Sequence, residues 1–335
     1  MIVKNIGIRN TAPAFKGYDA VPLKALHIDT RRGKVEDELR EIAKKENFEI
    51  KPSKYNESFN QDFKAILKKD DAPFLTMQGN EEFDGPNLSD ISKQYGMPVN
   101  FLPMFDRSTG FISGGNFYTG KTPKGEKWIL IGAMDRNIDK NKISELYDIK
   151  KENIHFITQQ DYHLDFSIRP IGYPYVLINH PGRARRYQEE ITGKPAQKTE
   201  FDERLMESYK NTLIELKQAG FYPIPISGVY PEGINFLNAV VNLHDDGTIS
   251  YITNSSDCDD DIKIKYQKKF EKELREKLEK LGEKMPDAPK LRDVYFVKGE
   301  VCDDIGWNEM IENIIEGAGG IHCMTLEEPN FEIWG

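Results

Sequence analysis

The chain has 335 residues, 46 of them Lys or Arg and 55 Asp or Glu, for a formal net charge of −9. Hydrophobic residues make up 38% and charged residues 30%, a balance that fits a globular chain with a hydrated surface, long enough for one large domain or two small ones. The negative charge disfavours nucleic acid as a partner, no apolar run has the length of a membrane span, and three cysteines set far apart form neither a disulfide framework nor a metal-ligand spacing. Met1 to Arg9 lacks the long apolar core and cleavage site of a signal peptide, and with the cysteine usage this predicts a cytoplasmic setting. In chain order, Ala25 to Ile28 reads as a buried strand and Lys34 to Lys45 as an amphipathic helix. Phe59 to Lys68 also reads as a helix, Phe74 to Met77 as a strand, and Leu88 to Tyr95 as a helix with Ser89 at its N-cap. Trp128 to Ile131, His155 to Ile157 and Tyr175 to Ile178 follow as strands. Asp202 to Ala219 carries Leu205, Met206, Leu213 and Leu216 on one helical stripe, and Ala239 to Leu243 returns to a strand. Lys263 to Lys284 sets Tyr266, Phe270, Leu274, Leu278 and Leu281 at helical spacing in a Lys/Glu-rich surface helix, which Pro286 and Pro289 stop before the strand Val294 to Val297. The alternation predicts an α/β or α+β fold, with no repeat at a fixed period and no evident linker.

Two segments carry chemistry. Gly319-Gly320-Ile321-His322-Cys323-Met324-Thr325 sets a thiol after a glycine-rich turn and the start of a short apolar strand. A lone cysteine is more often a small buried hydrophobe than a nucleophile. Far upstream, Tyr162-His163-Leu164-Asp165-Phe166-Ser167-Ile168-Arg169 spaces His163 and Asp165 two apart, which on a strand would aim both at one face. That pair could still be structural. A cysteine, a separate histidine and a carboxylate are together the parts of a thiol nucleophile, its acid/base and a cation-binding anion.

The two halves together resemble the guanidine-modifying superfamily, whose fold is called pentein. The resemblance is to its agmatine deiminase and bacterial peptidylarginine deiminase branch. That branch has a terminal Gly-Gly-x-His-Cys, matched at Gly319 to Cys323, and a His-x-Asp with an Arg four residues later, matched at His163, Asp165 and Arg169. Tyr230 to Val241 resembles, loosely, its Tyr-x-Asn-Phe-x-x-x-Asn region, and Asp106 with Ser113-Gly114-Gly115-Asn116 occupies the place of its first guanidinium-binding acid and Glu-Gly-Gly turn. Two departures stand out: the usual Arg-Asp order is Asp106-Arg107 here, and Ser113 replaces the Glu. The motifs span residues 100 to 329. The resemblance implies an α/β fold of five ββαβ units forming a five-bladed propeller, in a single catalytic domain over residues 1–335. It implies Cys323 as nucleophile, His163 as acid/base, and Asp165 and Asp106 as the carboxylates that hold a guanidinium. It also implies Asn116, Asn235 and Arg169 as substrate-binding residues. The substrate would be a small-molecule or peptidyl guanidine, agmatine or peptidyl-arginine in type, with no cofactor, metal, nucleic acid or membrane required. A homo-oligomer is compatible with the sequence. Amidino transfer, or guanidine binding without catalysis, stays open as an alternative to hydrolysis.

Two other segments carry less. Asp257-Cys258-Asp259-Asp260-Asp261 begins like a calcium loop, yet Ile262 and Lys268 stand where an EF-hand needs Gly and Glu, so a solvated turn is expected. His180-Pro181-Gly182-Arg183-Ala184-Arg185-Arg186 reads as a basic loop, facing solvent or steering a substrate carboxylate.

Overall fold

The run Tyr175-Val176-Leu177-Ile178 is fully buried, as is Ile129-Leu130-Ile131. Continuous apolar runs of this kind belong to strands covered on both faces, whereas a strand with one wet face alternates. The computed structural model describes residues 19–29, 33–53, 64–69, 72–79, 88–103, 107–112, 114–160, 163–195, 200–230, 234–254, 261–297 and 321–331. The first half of the chain contains β1 (Leu23–Asp29), α1 (Gly33–Glu46), β2 (Glu49–Ser53), β3 (Lys64–Lys69), β4 (Ala72–Gly79), α2 (Leu88–Tyr95) and β5 (Val99–Pro103). There follow β6 (Phe117–Lys121), β7 (Lys127–Gly132), α3 (Lys140–Tyr147), β8 (Ile154–Ile157), β9 (Ile168–Pro170), β10 (Tyr175–Asn179), α4 (Pro181–Thr192), α5 (Glu200–Gln218) and β11 (Tyr222–Ile226). The remainder comprises β12 (Val229–Tyr230), β13 (Ile234–Asn235), β14 (Val240–Leu243), β15 (Thr248–Asn254), α6 (Asp261–Gly282), β16 (Lys290–Val297), α7 (Ile321–Met324) and β17 (Thr325–Pro329).

Among the described residues, five three-stranded sheets share one pattern. In each, a middle strand is antiparallel to one neighbour and parallel to the other: β4 between β3 and β5, β7 between β6 and β8, β10 between β9 and β11, and β15 between β14 and β16. In the fifth, β1 lies antiparallel to β17 and parallel to β2, so one sheet is assembled from segments near opposite ends of the chain. The parallel strand is reached each time across a helical crossover, as parallel pairing requires: α1, α2, α3, the pair α4 and α5, and α6. The chain is therefore α/β, built of repeated ββαβ units.

The helices bury the stripes their sequences predict. On α1, Val35, Leu39, Ile42 and Ala43 are buried with Leu26 and Ile28 of β1 in one cluster. On α6, Tyr266, Phe270, Leu274, Leu278 and Leu281 are buried against Ile224, Ile226 and Tyr251. Burial of each such aliphatic or aromatic side chain contributes about 1.5–3 kcal/mol.

Four expectations change. Residues 64–68 are strand rather than helix, because Ala65, Ile66 and Leu67 are buried consecutively, which a surface helix cannot do. Ser89 lies inside α2, which begins at Leu88. The basic stretch after His180 is the first turns of α4, with Pro181 at the helix start where its missing N–H costs nothing. Residues 321–324 form a helical turn, and strand begins only at Thr325. Among the described residues no helix is long and apolar enough to cross a membrane. Residues 257–260 of the acidic run lie outside the described residues.

Candidate active site

The site is organised on a single turn. His163 is extended, with φ −117° and ψ 157°, and caps a one-turn 3-10 helix over Leu164–Phe166. Asp165 therefore projects from a helical turn, and not from a strand shared with His163 as its spacing predicts. The strand, β9, starts only at Ile168. Ser167 closes the turn, its N–H and hydroxyl both donating to the Leu164 carbonyl at 3.0 and 3.2 Å.

Two asparagines hold this turn from either side. The N–H of Leu164 donates to Oδ1 of Asn116 at 3.2 Å, and Nδ2 of Asn116 donates to Asp135 at 2.6 Å. Nδ2 of Asn235 donates to the Phe166 carbonyl at 3.2 Å, and its Oδ1 accepts from the N–H groups of Leu237 and Asn238 at 2.9 and 3.2 Å. Both side chains, expected to bind substrate, are committed at each end to the protein. They hold the turn that carries Asp165.

Asp165 is fully buried. Its Oδ2 accepts from Nδ2 of Asn238 and from Nδ1 of His322, each at 2.8 Å. The His322 contact joins the two motif halves, 157 residues apart in sequence. The turn that carries His322 is itself pinned: the Ile321 N–H donates to Oδ1 of Asn254 at 2.8 Å, and Nδ2 of Asn254 donates to the Asn235 carbonyl at 2.8 Å. The Thr325 hydroxyl closes the turn on the Ile321 carbonyl at 2.8 Å. Cys323 follows His322 in α7. The Cys323 side chain, Asp106 and Ser113 lie outside the described part of the protein.

Burial sets the protonation states. Desolvation lowers the His163 pKa from 6.5 to about 4, so its imidazole is neutral near pH 7. His322 is held well below the ordinary value, first by burial, then by the nearby positive charge of Arg169. A neutral imidazole facing a carboxylate donates to it, which fixes the proton of His322 on Nδ1.

Arg169, expected at the substrate, is fully buried in β9 and points into the interior. Its Nη2 lies 3.2 Å from Oε1 of Glu327 on β17 and 3.5 Å from the Asp19 carbonyl, and its guanidinium sits 5.2 Å from the Tyr118 ring centroid on β6. The strands β6, β9 and β17 of three different units thus converge on one cation. Burial would lower its pKa, but Glu327 with Tyr118 and Tyr251 more than restores it. Burial pushes Glu327 up to about 7 against the pull of Arg169. It pushes Asp19 up to about 7 as well, against the N–H groups of Ala20, Gly172 and Tyr173 and the charge of Arg169.

Sequence reasoning assigned no role to His322, Asn238, Asn254, Glu327 or Asp19. His322 and Asn238 stood inside the quoted motifs. The others act across long sequence separations and leave no local pattern. Among the described residues no group of His, Cys, Asp and Glu has a metal-holding arrangement.

No protein-family model matches the chain, and no curated protein matches it. Solved structures do. An agmatine deiminase from C. jejuni matches with a TM-score of 0.51 and 14% identity, over 94% of this chain and 96% of that one. A structural-genomics target named as an agmatine deiminase matches with a TM-score of 0.52 and 12% identity, over 95% of this chain and 96% of that one. At such identities the likeness is one of fold. The chain has the fold of the guanidine-modifying, or pentein, superfamily.

Proposed function

We propose that this protein hydrolyses the guanidinium group of agmatine or of a peptidyl arginine, releasing ammonia through a covalent Cys323 intermediate. The observation that supports this best is the 2.8 Å contact between His322 and Asp165, which brings the terminal Gly-Gly-x-His-Cys segment against the His-x-Asp segment. The fold shared with the C. jejuni agmatine deiminase supports it further. The reading takes the five ββαβ units as the blades of a five-bladed propeller, forming one catalytic domain.

A guanidinium is planar, charged and a poor electrophile, so attack needs a thiolate and help for the departing amine. Because burial keeps His163 neutral near pH 7, the proton it gives to the leaving amine must first be taken from the Cys323 thiol. His163 accepts that proton as the sulfur adds to the guanidinium carbon, then passes it to the amine, which leaves as ammonia. A cationic thiouronium remains on Cys323. His163 next deprotonates a water as it adds to the same carbon. The C–S bond breaks, the added hydroxyl gives up its remaining proton to solvent, where the released ammonia takes it up as ammonium, the neutral ureido product departs, and the proton held on His163 returns to the sulfur. Asp165 and Asp106 offset the substrate charge. No step draws on a metal or organic cofactor.

Agmatine has no α-carboxylate to satisfy, and a blocked arginyl peptide presents none at the reacting residue. Arg169, the nearest arginine to the site in sequence, is bound to Glu327. Comparison of kcat/KM for agmatine, free arginine and a blocked arginyl peptide, by ammonia release and identification of the ureido product, tests the reading. Turnover of agmatine or of the blocked arginyl peptide, in preference to free arginine, is expected. Free arginine winning by about tenfold, ~1.4 kcal/mol of transition-state preference, would overturn the substrate class, and no turnover of any of the three would overturn the function.

A further inference from the structure

We infer that His322 is a positioning residue of this site: its Nδ1–H on Oδ2 of Asp165 sets the carboxylate that receives the guanidinium and ties the turn of Cys323 to the turn of His163. The inference rests on the proposed function and deepens it. Both side chains are fully buried, and the Nδ1–Oδ2 distance is 2.8 Å. The same oxygen accepts from Asn238 at 2.8 Å, and Asn238 is itself fixed by its backbone N–H on Asn235. Two donors from different elements on one carboxylate oxygen restrict rotation about Cβ–Cγ, so the plane of Asp165 is set before substrate arrives.

The imidazole is fixed in its turn. Its ring centroid lies 5.4 Å from that of Tyr118, and the preceding residue, Ile321, is anchored on Asn254 at 2.8 Å. A role as proton carrier does not suit it. Nδ1 is engaged by Asp165, and burial beside the Arg169 cation disfavours a second proton. Its immediate position before Cys323 means that one residue couples the orientation of the cation-binding carboxylate to the segment bearing the nucleophile.

The test uses two amide substitutions. His322→Asn keeps an N–H donor close to the Nδ1 position, whereas His322→Gln moves the amide toward the Nε2 position and leaves Asp165 without it. Steady-state kinetics on whichever guanidine the wild type turns over are read beside the melting temperature and the rate of Cys323 alkylation by iodoacetamide, a neutral probe indifferent to Asp165. The expected result is a KM raised about tenfold or more in His322→Gln, with melting temperature and alkylation unchanged, and recovery toward wild-type KM in His322→Asn. Equal KM values for the wild type and His322→Gln would overturn the inference. So would a joint fall in melting temperature, alkylation and turnover in both variants alike, which marks a purely structural residue. If His322→Gln does not fold, wild-type KM in His322→Asn supports the inference and a raised KM in it overturns it. A wild type that turns over no guanidine overturns the proposed function first and this inference with it.

Discussion

Gly132 has no side chain where Asn116 needs the space. A Cβ there would lie 1.9 Å from Oδ1 of Asn116 and 2.3 Å from Oε1 of Gln159. Because that same Oδ1 accepts the N–H of Leu164, a methyl group on β7 would reach Asp165 through two contacts. Gly132→Ala and Asn116→Ala should therefore behave alike. Each should cost roughly 1–3 kcal/mol of stability, the range for a buried group left without its partner, and each should depress turnover. Urea midpoints and kcat/KM for the pair check this. Normal turnover in Gly132→Ala would show that the Asn116 contact does not set the turn. His163 gives a pH signature. Its folded pKa of about 4 lies below its ordinary 6.5, so the unfolded chain binds the proton more readily between those values. The neutral imidazole supports folding fully above pH 6.5, and that support is lost as pH falls toward about 4, reaching roughly 3 kcal/mol at full effect. Asp19 and Glu327 run the other way: with folded values of about 7, their contribution is lost as pH rises through that value. The difference in stability between the wild type and His163→Gln, measured from about pH 7.5 to about pH 4.5, isolates the histidine. It should change steadily against the wild type on acidification, and a flat difference would contradict the burial argument. At this scale the sequence marks the residues that carry chemical types in motifs, His163, Asp165 and Cys323. It is silent on Asn254, whose partner Ile321 is 67 residues away.

The amphipathic helices were legible because their burial follows a period the sequence displays. On α6, Phe270 is fully buried while Ile264 is 41% exposed, although both are large and apolar. Phe270→Ala should cost about 3–5 kcal/mol, and Ile264→Ala should fall within about 0.5 kcal/mol of the wild type. Thermal or chemical denaturation of the two distinguishes a core stripe from incidental surface apolarity, and equal losses would mean α6 packs on a different face. Short segments were less legible. Lys64 and Lys68 flank Ala65, Ile66 and Leu67 in a way that fits one helical turn as well as a buried strand, and only pairing with Leu75 and Phe74 of β4 decides it. The spacing His163-x-Asp165 fits a strand, yet hydrogen bonds from Asn116 and Asn235 on other units impose a 3-10 turn. The stretch after His180 looked like a loop by its charge. It is helical because Pro181 starts a helix readily and Ala184 is buried beneath it.

Across the whole molecule, the repeat lies in the hydrogen-bond pattern and not in residue identity. Each unit needs only a strand pair, a crossover helix and a parallel return, and many sequences meet those needs, so no period shows along the chain. Pairing of β1 with β17 brings the C-terminal motif strand to the N-terminal sheet, from Ile28 opposite Thr325 to Leu23 opposite Pro329. This registration sets Glu327 on Arg169 and carries α7 to the His163 turn, so the candidate site depends on closing the chain rather than on any one unit. The motifs identified two of the pieces from sequence; the ion pair that joins three strands under them required the fold. The central claim is that chemistry passes through Cys323. Its most direct test is mass spectrometry of the protein acid-quenched during turnover of agmatine or a blocked arginyl peptide. The expected result is an adduct equal in mass to the substrate less ammonia, confined to the peptide containing Cys323, with both adduct and ammonia release lost in Cys323→Ser. Ammonia release undiminished in Cys323→Ser, or an adduct on Cys258 or Cys302 instead, would contradict it.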